Sequence, residues 1–171
     1  MKAFKTCTLI TLFSLLVHLS YAQKGKADNN VSQIISLYLD MKNGLVNDDG
    51  ITVKVKANKL YRIFSTNPCK GLDSDQAAFL ADHLGDLMDN CLPMCYTTDK
   101  SEQKPYFARF SKALFDVIKG LKANTSTIYW QYCSINNAYW LSETPVIKNP
   151  YYTYKDWATA GKTTETLAAN K

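Results

Sequence analysis

Four stretches of this chain place apolar residues at helical spacing, and nothing else in it constrains the fold as much, because each stripe must find a partner face to bury it. Val31, Ile34, Ile35, Tyr38, Met41 and Leu45 form the first, behind the cap candidates Asp28, Asn29 and Asn30, and predict a helix near 31–46. After the turn Asn47-Asp48-Asp49-Gly50, Ile51, Val53 and Val55 alternate like a strand, but Ala57, Leu60, Tyr61 and Phe64 restore helical spacing. One helix near 51–65 is expected, since β-branched residues lower helix propensity only slightly. Asp73 and Gln76 make a capping box for a third helix near 75–91, with Ala77, Leu80, Ala81, Leu84, Leu87, Met88 and Cys91 on one face. Asp99 and Glu102 offer a second box for a helix near 102–121, striped by Phe107, Phe110, Leu114, Val117, Ile118 and Leu121. Pro105 is tolerable there only within the first turn. Four amphipathic helices with short connections predict an up-down bundle.

Beyond Thr127 the pattern changes. Ile128-Tyr129-Trp130-Gln131-Tyr132-Cys133 reads as a strand, Asn136-Asn137 as a turn and Tyr139-Trp140-Leu141 as the return, so a small aromatic β-hairpin is expected near 127–142. Residues 143–171 read as an irregular tail, frayed after Gly161. The expected class is mainly α: a four-helix bundle with a C-terminal hairpin in a single domain, 23–171, with no repeat. A hydrophobic content of 46%, with only 7 Gly and 5 Pro, excludes disordered and collagen-like readings.

Residues 1–22 read as a secretory signal. Lys2 and Lys5 precede an apolar run from Thr6 to Leu19, and Ser20-Tyr21-Ala22 supplies small residues at −3 and −1, which places cleavage after Ala22. The run is too short for the roughly 20 residues of a membrane-spanning helix, and no later stretch approaches that length, so a periplasmic or secreted protein without a span is expected. Two lysines leave with the signal, which lowers the net charge from +5 to +3, too weak and too scattered a bias to imply a nucleic-acid partner.

Export brings four cysteines, Cys69, Cys91, Cys95 and Cys133, into an oxidising compartment, where two disulfides are the plain expectation and the pairing stays open. The alternative is a soft-metal site: Cys91-Leu92-Pro93-Met94-Cys95 offers two thiolates and a thioether, a copper(I)-type set. His83, eight residues before Cys91 and about 80° around an ideal helix, is a fourth candidate. A cysteine-dependent redox reading rests on the same Cys91, Cys95 and His83. Nothing matches Gly-x-Ser-x-Gly, a phosphate-cradling glycine loop or His-Glu-x-x-His, so the chain reads as non-enzymatic. Trp130, Tyr139, Trp140, Tyr151, Tyr152 and Trp157 are a candidate binding surface for a sugar or peptide, with core packing of most of them as the alternative. Asn124-Thr125-Ser126 matches a glycosylation sequon and is read as a polar turn.

Three strings carry a resemblance: Tyr129-Trp130-Gln131-Tyr132-Cys133, Ala138-Tyr139-Trp140-Leu141-Ser142 and Ile147-Lys148-Asn149-Pro150-Tyr151. With Tyr38-Leu39-Asp40-Met41-Lys42 and Phe107-Ala108-Arg109-Phe110-Ser111, they resemble a bacterial exported domain-of-unknown-function family whose members occur alone or fused to periplasmic adaptors of heavy-metal efflux pumps. The resemblance implies a helical bundle with an aromatic hairpin, an accessory role in the envelope beside efflux components, and handling of copper-like metals through soft ligands. The family's usual tail ligands are largely replaced here by Cys133-Ser134-Ile135-Asn136, Trp157, Ala160-Gly161 and Tyr106, with only Cys133 retained. That departure leaves open a module that binds a ligand or protein without metal.

Overall fold

A computed structural model describes residues 30–66, 68–69, 72–152 and 157–170. The signal segment and its cleavage point lie outside the described residues. Within them the chain forms four α-helices and a three-stranded antiparallel sheet: α1 (30–46), α2 (Gly50–Thr66), α3 (Ser74–Cys91), a 3₁₀ turn (Pro93–Cys95), α4 (Lys100–Leu121), β1 (Ile128–Cys133), β2 (Ala138–Ser142) and β3 (Lys162–Leu167). None of these helices is long and apolar enough to cross a membrane.

The α1 and α4 stripes are buried throughout, α2 buries Val53, Ala57, Leu60 and Phe64, and α3 buries only Leu80, Leu87 and Cys91 of its stripe, with Ala81 exposed. Tyr38, Met41 and Leu45 of α1, Val53, Ala57 and Leu60 of α2, Leu87 of α3 and Phe107, Phe110 and Ile118 of α4 meet in one core. The α3 box forms as read, with Asp73 accepting from Gln76 N at 2.8 Å and the Gln76 side chain returning to Asp73 N. The α4 box does not: Asp99 Oδ1 accepts from the Ser101 amide and hydroxyl instead, and Glu102 makes no return bond. Pro105 also lies beyond the first turn of α4, so it costs the helix the bond that the Ser101 carbonyl would have accepted.

Short turns set the helix order. Asp48 takes a left-handed conformation (φ 61°) between α1 and α2, and Asp49 caps α2 through the amide and hydroxyl of Thr52, which hold its carboxyl below the usual range. Gly50 begins α2 directly beneath the Thr98 carbonyl, where a Cβ would stand 2.0 Å from that oxygen, so no larger residue fits without moving backbone. Gln103, fully buried, donates from Nε2 to Gly50 O and Thr97 O, tying the start of α2 to the α3–α4 connection.

The sheet order is β2-β1-β3. β1 and β2 pair as the expected hairpin, Cys133 opposite Ala138 and Gln131 opposite Trp140, with Asn137 left-handed (φ 51°) in the turn. The third strand corrects the reading of 143–171 as an irregular tail. Lys162–Leu167 pairs antiparallel with β1 through a bulge beside Trp130 and Gln131. Asn124 holds it there: its buried amide donates to Ser126 O, Leu167 O and Ala168 O, which also explains the sequon as a structural turn. Gly161 admits the chain to β3 at φ 148°, with the Trp140 ring and Tyr132 O packed against it.

Candidate functional site

The sulfur-bearing turn sits where α3 ends. Leu92 keeps helical dihedrals, Pro93 cannot continue the bonding ladder, and the chain tightens into the 3₁₀ turn, closed by Cys95 N to Leu92 O at 3.0 Å and Tyr96 N to Pro93 O at 3.2 Å. This geometry brings Cys91 and Cys95 together. Cys91 is fully buried and its Sγ lies 3.3 Å from Ala57 O on α2, while Cys95 is 7% exposed with its Sγ 3.5 Å from Cys91 O. The neighbouring Cys95, then burial, pushes the Cys91 thiol up; the neighbouring Cys91, helped by the charge of Lys54, brings Cys95 down against its own burial. Cys95 is therefore the sulfur that gives up its proton first. Lys54 is held nearby by Tyr96 O at 3.3 Å, and Asn58 bonds the Cys95 carbonyl at 3.2 Å.

Met94 is completely buried within the same turn. His83 is not brought to it. Its Nδ1 lies 2.8 Å from Phe79 O and its ring packs on Phe79 at 4.4 Å between centroids, toward the N-terminal part of α3. Eight residues of helix are about 12 Å of rise, which outweighs a favourable angle around the axis. Among the described residues no group of three or more His, Cys, Asp and Glu side chains is placed to hold a metal ion. What the turn offers is a two-sulfur pair with a buried thioether beside it.

All four described cysteines are free thiols, so neither expected disulfide is formed in this structure. Cys69 is half-buried at the entrance to α3, with Sγ 3.7 Å from Ala77 O, and Cys133 is buried at the end of β1. Cys91 and Cys95 instead place their Sγ atoms against the Ala57 and Cys91 carbonyls.

The aromatic residues divide. Trp130 lies between Phe115 (4.3 Å, 6°) and Tyr139 (4.9 Å, 14°), Trp140 is fully buried, and Tyr151 is buried with its hydroxyl donating to Tyr139 O at 2.6 Å. These three offer no binding surface. The burial of Trp130, Trp140 and Tyr151 is the physical reason the core reading replaces the platform reading for them. Tyr139 and Tyr152 are half-buried and Trp157 is 47% exposed, packed edge-on to Tyr152.

Sequence reasoning missed two polar assemblies. Tyr38 Oη, fully buried, accepts Leu141 N–H at 3.0 Å and meets Ser111 Oγ at 2.7 Å, joining α1, β2 and α4. Lys42, 1% exposed on the same helix, pairs with Glu143 at 2.7 Å just after β2. The only signal in the sequence was a lysine inside an apolar stripe. A third feature is a groove of about 840 Å³ between the turn after α3 and the first half of α4, with Arg109 in its wall.

Fold and turn together define a small helical-bundle module with an aromatic sheet and a buried dithiol. Residues 34–126, more than half of the chain, match a family described as a protein of unknown function (DUF3347), and the chain belongs to that family. The match runs from α1 to just before β1, so the aromatic sheet lies beyond it. No curated protein and no solved structure matches the chain.

Proposed function

We propose that the chain is an exported, non-enzymatic accessory protein of the cell envelope that holds a soft metal ion such as copper(I), with Cys91 and Cys95 as its ligands. The carrying observation is a pair of free, buried thiols four residues apart at the end of α3, with Cys95 Sγ 3.5 Å from the Cys91 carbonyl. Soft thiolates select soft ions. Two thiolates four residues apart can bridge one soft ion through metal–sulfur bonds of about 2.3 Å. A monovalent ion on two thiolates leaves one net negative charge, which Lys54 offsets. Export rests on the leader pattern and the metal link on the resemblance to efflux-associated proteins.

The test is a copper(I) titration of the reduced mature chain, residues 23–171, against a chromophoric copper(I) chelator, with zinc in parallel. One copper(I) per chain, lost in the Cys91→Ser/Cys95→Ser double variant and kept in Cys69→Ser and Cys133→Ser, is the expected result. Copper that the chelator removes completely, or binding indifferent to the double variant, overturns the proposal. The second reading, a ligand-binding module without metal, is favoured by the Arg109 groove.

A further inference from the structure

We propose that the groove between the end of α3 and the start of α4 binds small organic carboxylates with a flat or apolar body, with Arg109 as the anion anchor. Leu92, Pro93, Tyr96, Pro105 and Tyr106 supply the groove's apolar lining. Tyr96 is 76% exposed, the most exposed large apolar side chain among the described residues, and at that exposure it buries little for the fold. The volume, about 840 Å³, falls in the range of small-ligand sites, roughly 300–1,000 Å³.

Arg109 is already in place. Its Nε donates to Asn90 Oδ1 at 2.9 Å, its guanidinium carbon lies 4.6 Å over the Tyr106 ring, and Asn90 is itself fixed by donating to Asp86 O at 2.8 Å. No acceptor among the described residues pairs with its two Nη atoms, so the end-on fork of this groove-lining arginine is unspent. A fork of parallel N–H groups matches a carboxylate bidentately, and a guanidinium held on both sides gives up little freedom when it binds. The apolar body of the ligand would lie over the prolines and tyrosine faces.

Glu102 also lines the groove and sets the orientation. It lies seven residues before Arg109 on the same helix, about 10 Å along the axis, more than the roughly 8 Å screening length at physiological salt. A single carboxylate at Arg109 therefore tolerates it, and a second negative charge at the far end does not. The site shares the turn after α3 with the dithiol but uses none of its sulfurs.

The test is an NMR titration of the mature chain with indole-3-acetate and its neutral analogue indole-3-acetamide. Expected are saturable amide shifts confined to residues 90–109, and affinity for the acid roughly ten- to hundredfold above that for the amide, the span of a charge-assisted pair. Arg109→Gln should abolish that preference and Arg109→Lys restore it only in part, while Cys91→Ser/Cys95→Ser leaves it intact. Arg109 is exposed, so a dispersed spectrum of Arg109→Gln verifies its fold. Equal binding of acid and amide, no saturation by about 10 mM, or an unchanged preference in Arg109→Gln overturns the proposal. None of these outcomes bears on copper binding at the dithiol.

Discussion

Replacing Tyr38 by Phe should test whether one buried hydroxyl joins the sheet to the bundle. The Ser111 hydroxyl donates to Phe107 O at 2.7 Å, so its proton is committed, and the Tyr38 hydroxyl must donate to Ser111 Oγ while accepting Leu141 N–H. Phenylalanine keeps the ring stacked on Phe107, 5.1 Å between centroids, so packing cancels between the two proteins. What remains is a buried Leu141 N–H with no acceptor, which costs about 1–3 kcal/mol. Taking about 2 kcal/mol and about 2–4 °C per kcal/mol for a chain of this size, Tyr38→Phe should melt about 4–8 °C lower. Urea unfolding followed by circular dichroism at 222 nm should show a lower midpoint with unchanged slope. Ser111→Ala leaves the buried Tyr38 hydroxyl proton without its acceptor and should cost a similar amount, about 1–3 kcal/mol. A Tyr38→Phe loss below about 0.5 kcal/mol would refute the reasoning, since Leu141 N–H would then have found another acceptor.

Two further outcomes follow from the same contacts. Glu143→Gln leaves the buried Lys42 charge without its carboxylate and should cost about 2–3 kcal/mol in urea unfolding, less than for a fully buried pair because Glu143 is 40% exposed. In the native protein burial alone would raise the Glu143 carboxyl, but the bonds from Lys42, its own amide and Asn43 outweigh burial and lower it. Its contribution is therefore full above the ordinary carboxylate value of 4.5 and should be lost as pH falls below it, a decline that Glu143→Gln should flatten. Asn124→Ala removes the donor to three carbonyls and should free β3 from β1, seen as hydrogen exchange of the paired β1 and β3 amides accelerating by one to two orders of magnitude while α1 to α4 stay protected.

How much was legible depended on how local the cause was. The Asp73–Gln76 box spans three residues and formed as read, whereas Asp99 had both Ser101 and Glu102 within reach and took the nearer serine. β3 escaped notice because Lys162-Thr163-Thr164-Glu165-Thr166 carries no buried face; it is a strand because β1 has a free edge and Asn124 holds the chain against it. At the site, the Cys91 to Cys95 spacing was visible, and so was the soft character of its ligands. The exclusion of His83 follows from the same spacing, since eight residues of helix are about 12 Å of rise, a distance that its favourable angle around the axis masks.

By itself the amino-acid sequence determined four helices, their buried faces, most of their ends and the aromatic hairpin, because each follows from periodicity, capping and turn chemistry within a few residues. Only the tertiary structure decided which aromatics lie in the core, that Lys42 finds Glu143 and Tyr38 finds Ser111 and Leu141, and that Arg109 keeps its outer fork unspent beside Tyr106. Those are contacts between residues far apart in the chain. Their energies depend on burial and on what else is within about 3 Å, quantities that exist only once the bundle has closed.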